Sequence, residues 1–364
     1  MKTKHIATAT VVALASTSSM AQSSVQLFGV ADIGFQHASQ GGKSISQMTS
    51  SGNNPSSLGF RGVEQLGGNM YAGFWLESSL DLTKGSGPGG APVSYNRRST
   101  LDFGGDFGTI RLGREVVPSY WNITLNDPFH TLGSGSNNPL TELRMDRPNS
   151  GGKSPGVRAN NSISYLLNVN KNEHSAARGV RGISLQLMHA FGERSENGPA
   201  LDRYSGMRIA YANGPLNIGV AYGTAVVSAT AKSKIYNLGG SYNFGAVNLM
   251  GSIGVNDQGA PNNKNTYWQI GAKIPLGNGY IPISYVSSKL NNAAGAKATL
   301  LAVGYVYDMS KRTSVYTTVA LVGNKNGSAV TFAGGNGGFS TRGAGLASAN
   351  SSARGFDIGL RHRF

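Results

Sequence analysis

The 364-residue sequence contains no cysteine, so the chain can form neither disulfides nor thiolate metal sites. Charged residues make up only 13% of it, about half the usual fraction for a globular protein. After the N-terminal segment no run reaches the roughly eighteen consecutive apolar residues that a transmembrane helix requires. What the chain has instead is glycine, at 52 positions. Abundant glycine, few charges and no helix signal together favour β-structure.

The N-terminus has the pattern of a secretory signal peptide. Lys2 and Lys4 form a positively charged start, residues 6–15 are a short apolar run, and Ser19 and Ala21 place small residues at the cleavage-determining positions. An ordinary N-terminal helix is the alternative interpretation. We expect residues 1–21 to be a cleaved signal peptide and residues 22–364 to form the exported chain.

Basic residues outnumber acidic ones by 32 to 17, which gives a pI near 10.0. Such a balance can indicate a nucleic-acid partner. An exported protein rarely meets nucleic acid, however, and the basic residues are spread along the chain rather than gathered in a tail. We therefore expect no nucleic-acid partner.

Alternation with a period of two runs through most of the chain. From Val25 to Phe35 the odd-numbered residues are apolar or small, while Gln26 and Asp32 lie on the opposite face. The same period recurs at 100–103, 110–113 and 183–187. In a strand successive side chains point to opposite faces, so each segment has an apolar face and a polar or small one. A β-sandwich would give this pattern as well.

The spacing of the connections favours a membrane barrel over a sandwich. Seven tight turns alternate with eight longer polar connections, as in outer-membrane barrels with short turns at one rim and long loops at the other. The longer connections fall near residues 39–54, 85–93, 117–156, 194–202, 224–231, 256–263, 290–296 and 323–352. The flanked segments number sixteen strands, an even count that such barrels require.

The C-terminus ends in an alternating segment without a tail. Phe356, Ile358, Leu360 and Phe364 share one face, and Asp357 lies on the other. A closed barrel must pair its last strand with its first, because an unpaired edge in hydrocarbon leaves backbone groups without hydrogen bonds. Terminal Phe364 fits such a closing strand.

The longest irregular stretch is residues 117–156. Its prolines and scattered Gly, Ser and Asn give neither a helical nor a strand period, and a connection of this length is either disordered or functional. It also carries Trp121, Ile123 and Phe129, which a solvated linker would not need. We predict that this loop packs inside the barrel.

Several segments resemble the general-diffusion porins of Gram-negative bacteria, particularly the betaproteobacterial (Burkholderia, Comamonas and Neisseria-like) branch. The matching segments are 25–32 (VQLFGVAD), 58–69 (LGFRGVEQLGGN), 97–115 (RRSTLDFGGDFGTIRLGRE), 158–165 (RANNSISY), 242–245 (YNFG), 300–312 (LLAVGYVYDMSKR) and 359–364 (GLRHRF). The resemblance implies an all-β fold, a 16-stranded antiparallel transmembrane β-barrel in the cell outer membrane. It also implies a homotrimer, with the third surface loop, about 117–156, folded inward to narrow the pore.

In that family basic side chains on the barrel wall face acidic groups across the constriction. Strand parity places the matching side chains in the lumen, because charged residues facing lipid at mid-membrane cost about 2–4 kcal/mol. The candidate constriction residues are Arg61, Arg97, Arg98, Arg158, Glu77 and Asp127. Arg97 lies at a strand end, where parity is least informative. The alternative for each arginine is a purely structural ion pair.

One position departs from the family pattern. Where the family often has arginine just before the second strand's leucine, this chain has Ser57. With one member of the basic cluster missing, we expect a weaker anion preference, unless Arg61 compensates for it.

No motif indicates catalysis, a cofactor or a metal. The six histidines show no metal-binding spacing, and no glycine-flanked nucleophilic serine appears. We expect a channel for passive diffusion of small hydrophilic solutes and ions that prefers anions, surrounded by outer-membrane lipid and lipopolysaccharide. The alternatives are a selective channel for organic acids or phosphate, a surface-binding outer-membrane protein, and a soluble exported sandwich.

Overall fold

The computed structural model describes residues 24–141, 156–169, 181–192, 202–259, 263–292, 294–332 and 346–364. The predicted signal peptide lies outside these ranges, as do residues 142–155 of the predicted constriction loop. The cleavage position and the end of that loop therefore stay predictions.

Within these ranges the chain forms seventeen strand segments, two α-helices and one short 3-10 helix. The strands are β1 Ser24–Gln40, β2 Lys43–Ser50, β3 Ser57–Gly67, β4 Met70–Ser79, β5 Arg98–Gly105, β6 Gly108–Val116, β7 Arg158–Leu167, β8 Gly182–Ala190, β9 Tyr204–Asn213, β10 Leu216–Val226, β11 Lys232–Asn243, β12 Asn248–Asp257, β13 Lys264–Leu276, β14 Gly279–Leu290, β15 Lys297–Asp308, β16 Thr313–Lys325 and β17 Ala353–Arg363. The helices are α1 Pro118–Leu125 and α2 Asn138–Thr141, and the 3-10 helix is Pro88–Gly90.

These segments occupy sixteen strand positions, because β2 and β3 share one side of β1. Residues 24–30 of β1 pair with β3, and residues 33–40 pair with β2. The longer polar connection predicted near residues 39–54 therefore contains a strand, β2, that the sequence did not predict. The adjacent Gly41 and Gly42 both have positive φ, which suits the two-residue turn that joins β1 to β2.

The barrel closes where the two ends of the chain meet. β17 pairs antiparallel with β1 over residues 353–363 and 30–40. Beyond the last pair, the Gly29 amide donates to the Phe364 carbonyl at 3.0 Å, and the Phe364 amide donates to the Gly29 carbonyl at 3.1 Å. The terminal residue thus completes the ladder, and no strand edge is left open at this seam.

The two faces of the sheet differ in polarity as the alternation predicted. Outward residues such as Leu101, Ile270 and Ile253 are more than half exposed, whereas inward Thr100 and Gln269 are about 5% exposed or less. An apolar outer face is what a lipid-facing barrel requires. None of the helices in the described ranges has the length and apolar character to cross a membrane.

Prediction: Gly29→Ala should lower the temperature at which the folded barrel is lost. A Cβ there would lie 2.4 Å from the Phe364 ring and 2.6 Å from the Ser57 carbonyl oxygen, so the seam must shift. Gly73→Ala is the control, because its nearest atom would be 3.2 Å away. The loss of heat-resistant mobility on detergent gels measures both variants. Equal midpoints would contradict the tight seam.

Candidate pore constriction

The first half of the predicted constriction loop is partly helical. The sequence shows no helical period there, so helices α1 and α2 were not predicted. Pro118 occupies the start of α1, where its missing N–H costs no hydrogen bond. Seven of the eight α1 residues are buried, so the helix lacks the polar stripe that makes an amphipathic period visible.

Helix α1 is held against the inner faces of β9–β11. The Asn122 side-chain amide donates to the Gly219 carbonyl at 2.9 Å and to Asn237 Oδ1 at 2.8 Å. In return, Arg208 Nε donates to Asn122 Oδ1 at 2.9 Å. A Cβ on Gly219 would lie 2.7 Å from Asn122 Oδ1, so the helix can approach this closely only over glycine.

The rest of the segment follows the inner wall towards the closing strand. The Asn265 side chain of β13 donates to the Leu140 carbonyl at 2.8 Å. Further along the wall, the Ser134 amide and hydroxyl donate to the Asp357 carboxylate of β17 at 2.5 and 2.8 Å. We call residues 118–141 the inner segment; it lies on the lumen side of strands β9–β17.

Asp127, the predicted acidic partner on the loop, is fully buried between the inner segment and β13. Its carboxylate accepts from the amides of Phe129 and Thr131 at 3.1 and 2.8 Å, and from Gln269 Nε2 of β13 at 2.8 Å. Burial raises the pKa of the Asp127 carboxyl above its usual value, and these hydrogen bonds partly oppose the rise. In this arrangement the carboxylate fastens the inner segment to the wall.

Strands β4 and β5 on the other side of the barrel carry a buried ion pair. Arg97 Nε lies 2.5 Å from Glu77 Oε1, and Trp75 Nε1 donates to Glu77 Oε2 at 3.1 Å. Glu77 is 1% exposed, and its charge is offset by the adjacent Arg97 guanidinium. The predicted residues Arg97 and Glu77 are therefore brought together.

A second ion-pair cluster includes Arg98 and a residue that sequence analysis did not select, Arg111. Arg98 lies 3.2 Å from Glu115 and 3.4 Å from Asp102, while Arg111 lies 2.8 Å from Glu115 and 2.7 Å from Asp102. The signal for Arg111 was present, because Ile110 and Leu112 on either side of it face outward. Arg98 therefore makes ion pairs of the kind that the structural alternative describes.

Arg61 lies on the same wall in a different environment. Its guanidinium stacks over the rings of Phe28 and Trp75, at 5.3 and 5.0 Å from the centroids, and its Nε donates to Gln26 Oε1 at 2.9 Å. Trp75 also carries Arg98 on its ring, at 4.5 Å. Arg61 remains partly exposed, whereas Arg97, Arg98 and Arg111 are buried.

The parity argument that placed Arg158 in the lumen does not hold in the structure. The pairing of β6 with β7 shifts register between Gly113 and Glu115, and Asn161 has positive φ. Ala159 and Ser162 are consequently both buried, so parity counted from Ile163 does not extend to Arg158. Its position is instead set by a hydrogen bond from Nε to the Arg97 carbonyl at 2.7 Å.

The wall formed by β3–β7 thus carries more positive than negative charge. We call it the arginine wall; its members are Arg61, Arg97, Arg98, Arg111 and Arg158, with the carboxylates Glu77, Asp102 and Glu115. Five arginines against three carboxylates leave an excess of two positive charges. The inner segment is hydrogen-bonded to strands β9–β17, and Tyr120 and Trp121 near its start also pack in a buried cluster with Ala159 of β7.

Comparison with known proteins identifies the architecture. A family model described as Gram-negative porin matches residues 7–327. The chain belongs to this family. It is 35% identical, over the full length of both chains, to outer membrane porin protein 32 of Delftia acidovorans.

Solved structures agree with this assignment. The anion-selective porin from Comamonas acidovorans superposes with a TM-score of 0.81 at 30% identity, covering 94% of this chain and all of that one. OmpT of Vibrio cholerae in its trimer form has a TM-score of 0.67 at 13% identity, over 94% and 99% of the two chains, and supports the fold alone. The predicted closed 16-stranded antiparallel barrel is confirmed.

Prediction: Asp127→Ala should raise the single-channel conductance and its noise. The substitution removes the acceptor for two loop amides and for Gln269, and each buried unsatisfied donor costs about 1–3 kcal/mol. Asp127→Asn, which keeps one acceptor oxygen, is the matched control and should change the conductance less. Planar-bilayer recording distinguishes the two, and an alanine variant with wild-type conductance and noise would contradict the fastening role.

Proposed function

We propose that this porin passes small hydrophilic solutes and ions passively and prefers anions. The observation that carries the proposal is the excess of arginine on the wall opposite the inner segment. Positive side chains lining a water-filled constriction attract anions and repel cations, as charged rings do in other pores. The anion selectivity of the Comamonas protein, a relative at 30% identity, supports the same direction.

The mechanism has two parts. The inner segment occupies the lumen beside β9–β17, so size exclusion follows from the space left between it and the arginine wall. Within that space the wall sets the electrostatic preference. We assign direct contact with the permeating ion to Arg61. Arg98 and Arg158 contribute to the electrostatic field of the wall, since fixed partners hold their charges in place. Glu77 reduces the field of Arg97 next to it.

The remaining parts of the proposal concern partners. We propose a homotrimer in contact with outer-membrane lipid and lipopolysaccharide, as the family resemblance implies. We also propose that the chain has no catalytic activity, cofactor or resident metal. Within the described ranges no group of three or more His, Cys, Asp or Glu is arranged to hold a metal ion.

Prediction: Arg61→Gln should lower the chloride-to-potassium permeability ratio in a planar bilayer across a KCl gradient. One unit charge about 7 Å from a permeating ion in water is worth about 0.6 kcal/mol, favourable for chloride and unfavourable for potassium, so the ratio should fall about sevenfold. Lys311→Gln, on an exposed short turn away from the constriction, is the charge-matched control. A cation-preferring wild type, or equal ratios for both variants, would contradict the proposal.

A further inference from the structure

A histidine of the inner segment meets a lysine of the barrel wall near the rim with the short turns. The distance from Lys273 Nζ on β13 to His130 Nε2 is 2.6 Å. Alternation along β13 directs Lys273 inward, on the same face as the buried residues Gln269 and Gly271. His130 and Lys273 are only partly buried, so the exposed part of each faces the lumen. We call them the His130–Lys273 pair.

This contact fixes the protonation state of His130. A lysine ammonium group has three donors and no acceptor, so the imidazole Nε2 must accept the hydrogen bond. A ring nitrogen can accept only in the neutral imidazole. Protonation of His130 would place two positive charges next to each other, and like charges at this distance repel strongly. The contact therefore exists only while His130 is neutral.

An unusual backbone conformation presents His130 to the lysine. His130 and Thr131 both have positive φ, 53° and 65°, which residues other than glycine rarely adopt. Two hydrogen bonds hold this turn: the Thr131 amide donates to the Asp127 carboxylate at 2.8 Å, and the Thr124 hydroxyl donates to the His130 carbonyl at 3.1 Å. Such conformations persist only where the surroundings hold them, and they cluster at functional sites.

Other ionisable groups face the pair from the wall and from the inner segment. Lys273 Nζ lies 5.3 Å from the centroid of the Tyr280 ring on β14. The buried Asp127 carboxylate of the inner segment interacts with the charge of Lys273. Of the groups around this site, the imidazole of His130 is the one whose ordinary titration range lies between pH 5 and 8. The remaining ionisable groups nearby are Tyr120, Asp308, Arg361 and Arg363.

The strand order places the pair across the barrel from part of the arginine wall. Because β2 and β3 share the second of the sixteen strand positions, β5 occupies the fourth and β13 the twelfth. Eight positions of sixteen separate them, which is half the circumference. Lys273 on β13 thus adds a positive charge on the side of the lumen that faces β5 and its Arg98.

We propose that the His130–Lys273 pair is a second determinant of anion preference and that protons regulate its strength. At pH 8 the pair carries one positive charge, on Lys273, whose ammonium is held by the imidazole. As the pH falls through the imidazole range, His130 gains a proton, the pair carries two positive charges, and their repulsion breaks the contact. The preference for anions therefore rises as the pH falls. This regulation rests on the proposed anion-preferring function and deepens it.

The test measures the zero-current potential in a planar bilayer across a KCl gradient, at several values between pH 8 and pH 5. The chloride-to-potassium permeability ratio of the wild type should rise by up to about sevenfold, as expected for one added unit charge about 7 Å from the ion. His130→Gln, which stays neutral, should lose most of this rise. His189→Gln is the matched control, because His189 lies on the outward face of β8 between buried Met188 and Ala190. It should respond to pH like the wild type.

Lys273→Gln is an independent second variant. It should lower the ratio at pH 8, and it should move the midpoint of the rise to higher pH, because the charge that opposes protonation of His130 is gone. A purely structural lysine would change neither quantity. The heat-resistant mobility on detergent gels identifies variants that fold, and Lys273→Gln decides the test if His130→Gln does not.

An equal rise in the wild type and His130→Gln would overturn the proposal. So would a Lys273→Gln variant with the ratio and the midpoint of the wild type. A wild type that prefers cations at pH 8 would overturn both this inference and the proposed function. An anion-preferring wild type that responds to Arg61→Gln but not to His130→Gln would overturn this inference alone.

Discussion

Hydrogen bonds hold the inner segment against strands β9–β17, and the constriction that we propose depends on them. A barrel of sixteen strands encloses more space than its own side chains can fill. Here buried amides and carboxylates on the wall, such as Asn237, Gln269 and Asp357, meet complementary groups on the segment. Each such buried polar group would cost free energy of folding if it lacked a hydrogen bond, so these pairs fix where the segment lies on the wall.

In the proposed mechanism this one-sided placement gives the arginine wall its function. Were the segment centred in the lumen, its own backbone would face ions on all sides. With the segment on one side, we propose that a passing solute meets the field of the fixed guanidinium groups on the other. Rings and carboxylates hold these groups: Trp75 stacks between Arg61 and Arg98, while Glu115 bridges Arg98 and Arg111. These ion pairs are buried, and they fix the positions of the charges.

The barrel could be predicted from the sequence, because alternation is visible in each strand by itself and a sheet in a membrane must close. Strand β2 could not be predicted, because the glycines and serines around residues 39–54 are also typical of a loop. Helix α1 was missed because burial on all sides removes the periodic signal. Arg158 shows a different limit: a bulge breaks parity, and a bulge is visible only in the pairing of two strands.

The candidate site shows which features of a pore can be predicted from residue type and strand parity. Charge and parity identified Arg61, Arg98 and Glu77, and the same reasoning could have found Arg111. They did not distinguish a carboxylate that faces the channel from one that is buried against a neighbouring strand, as Asp127 is. That distinction depends on Gln269, which is distant in sequence and adjacent only in the folded barrel.

The most direct test of this account uses the absence of native cysteine to cross-link the inner segment to the wall. A Cβ on Gly355 would lie 2.9 Å from Ser134 Oγ, a separation compatible with a disulfide in a Ser134→Cys/Gly355→Cys variant. The account predicts that oxidation forms this cross-link and that single-channel conductance is nearly the same before and after reduction. An intact barrel that fails to cross-link, or a conductance that changes strongly on reduction, would show that the segment lies elsewhere in the lumen.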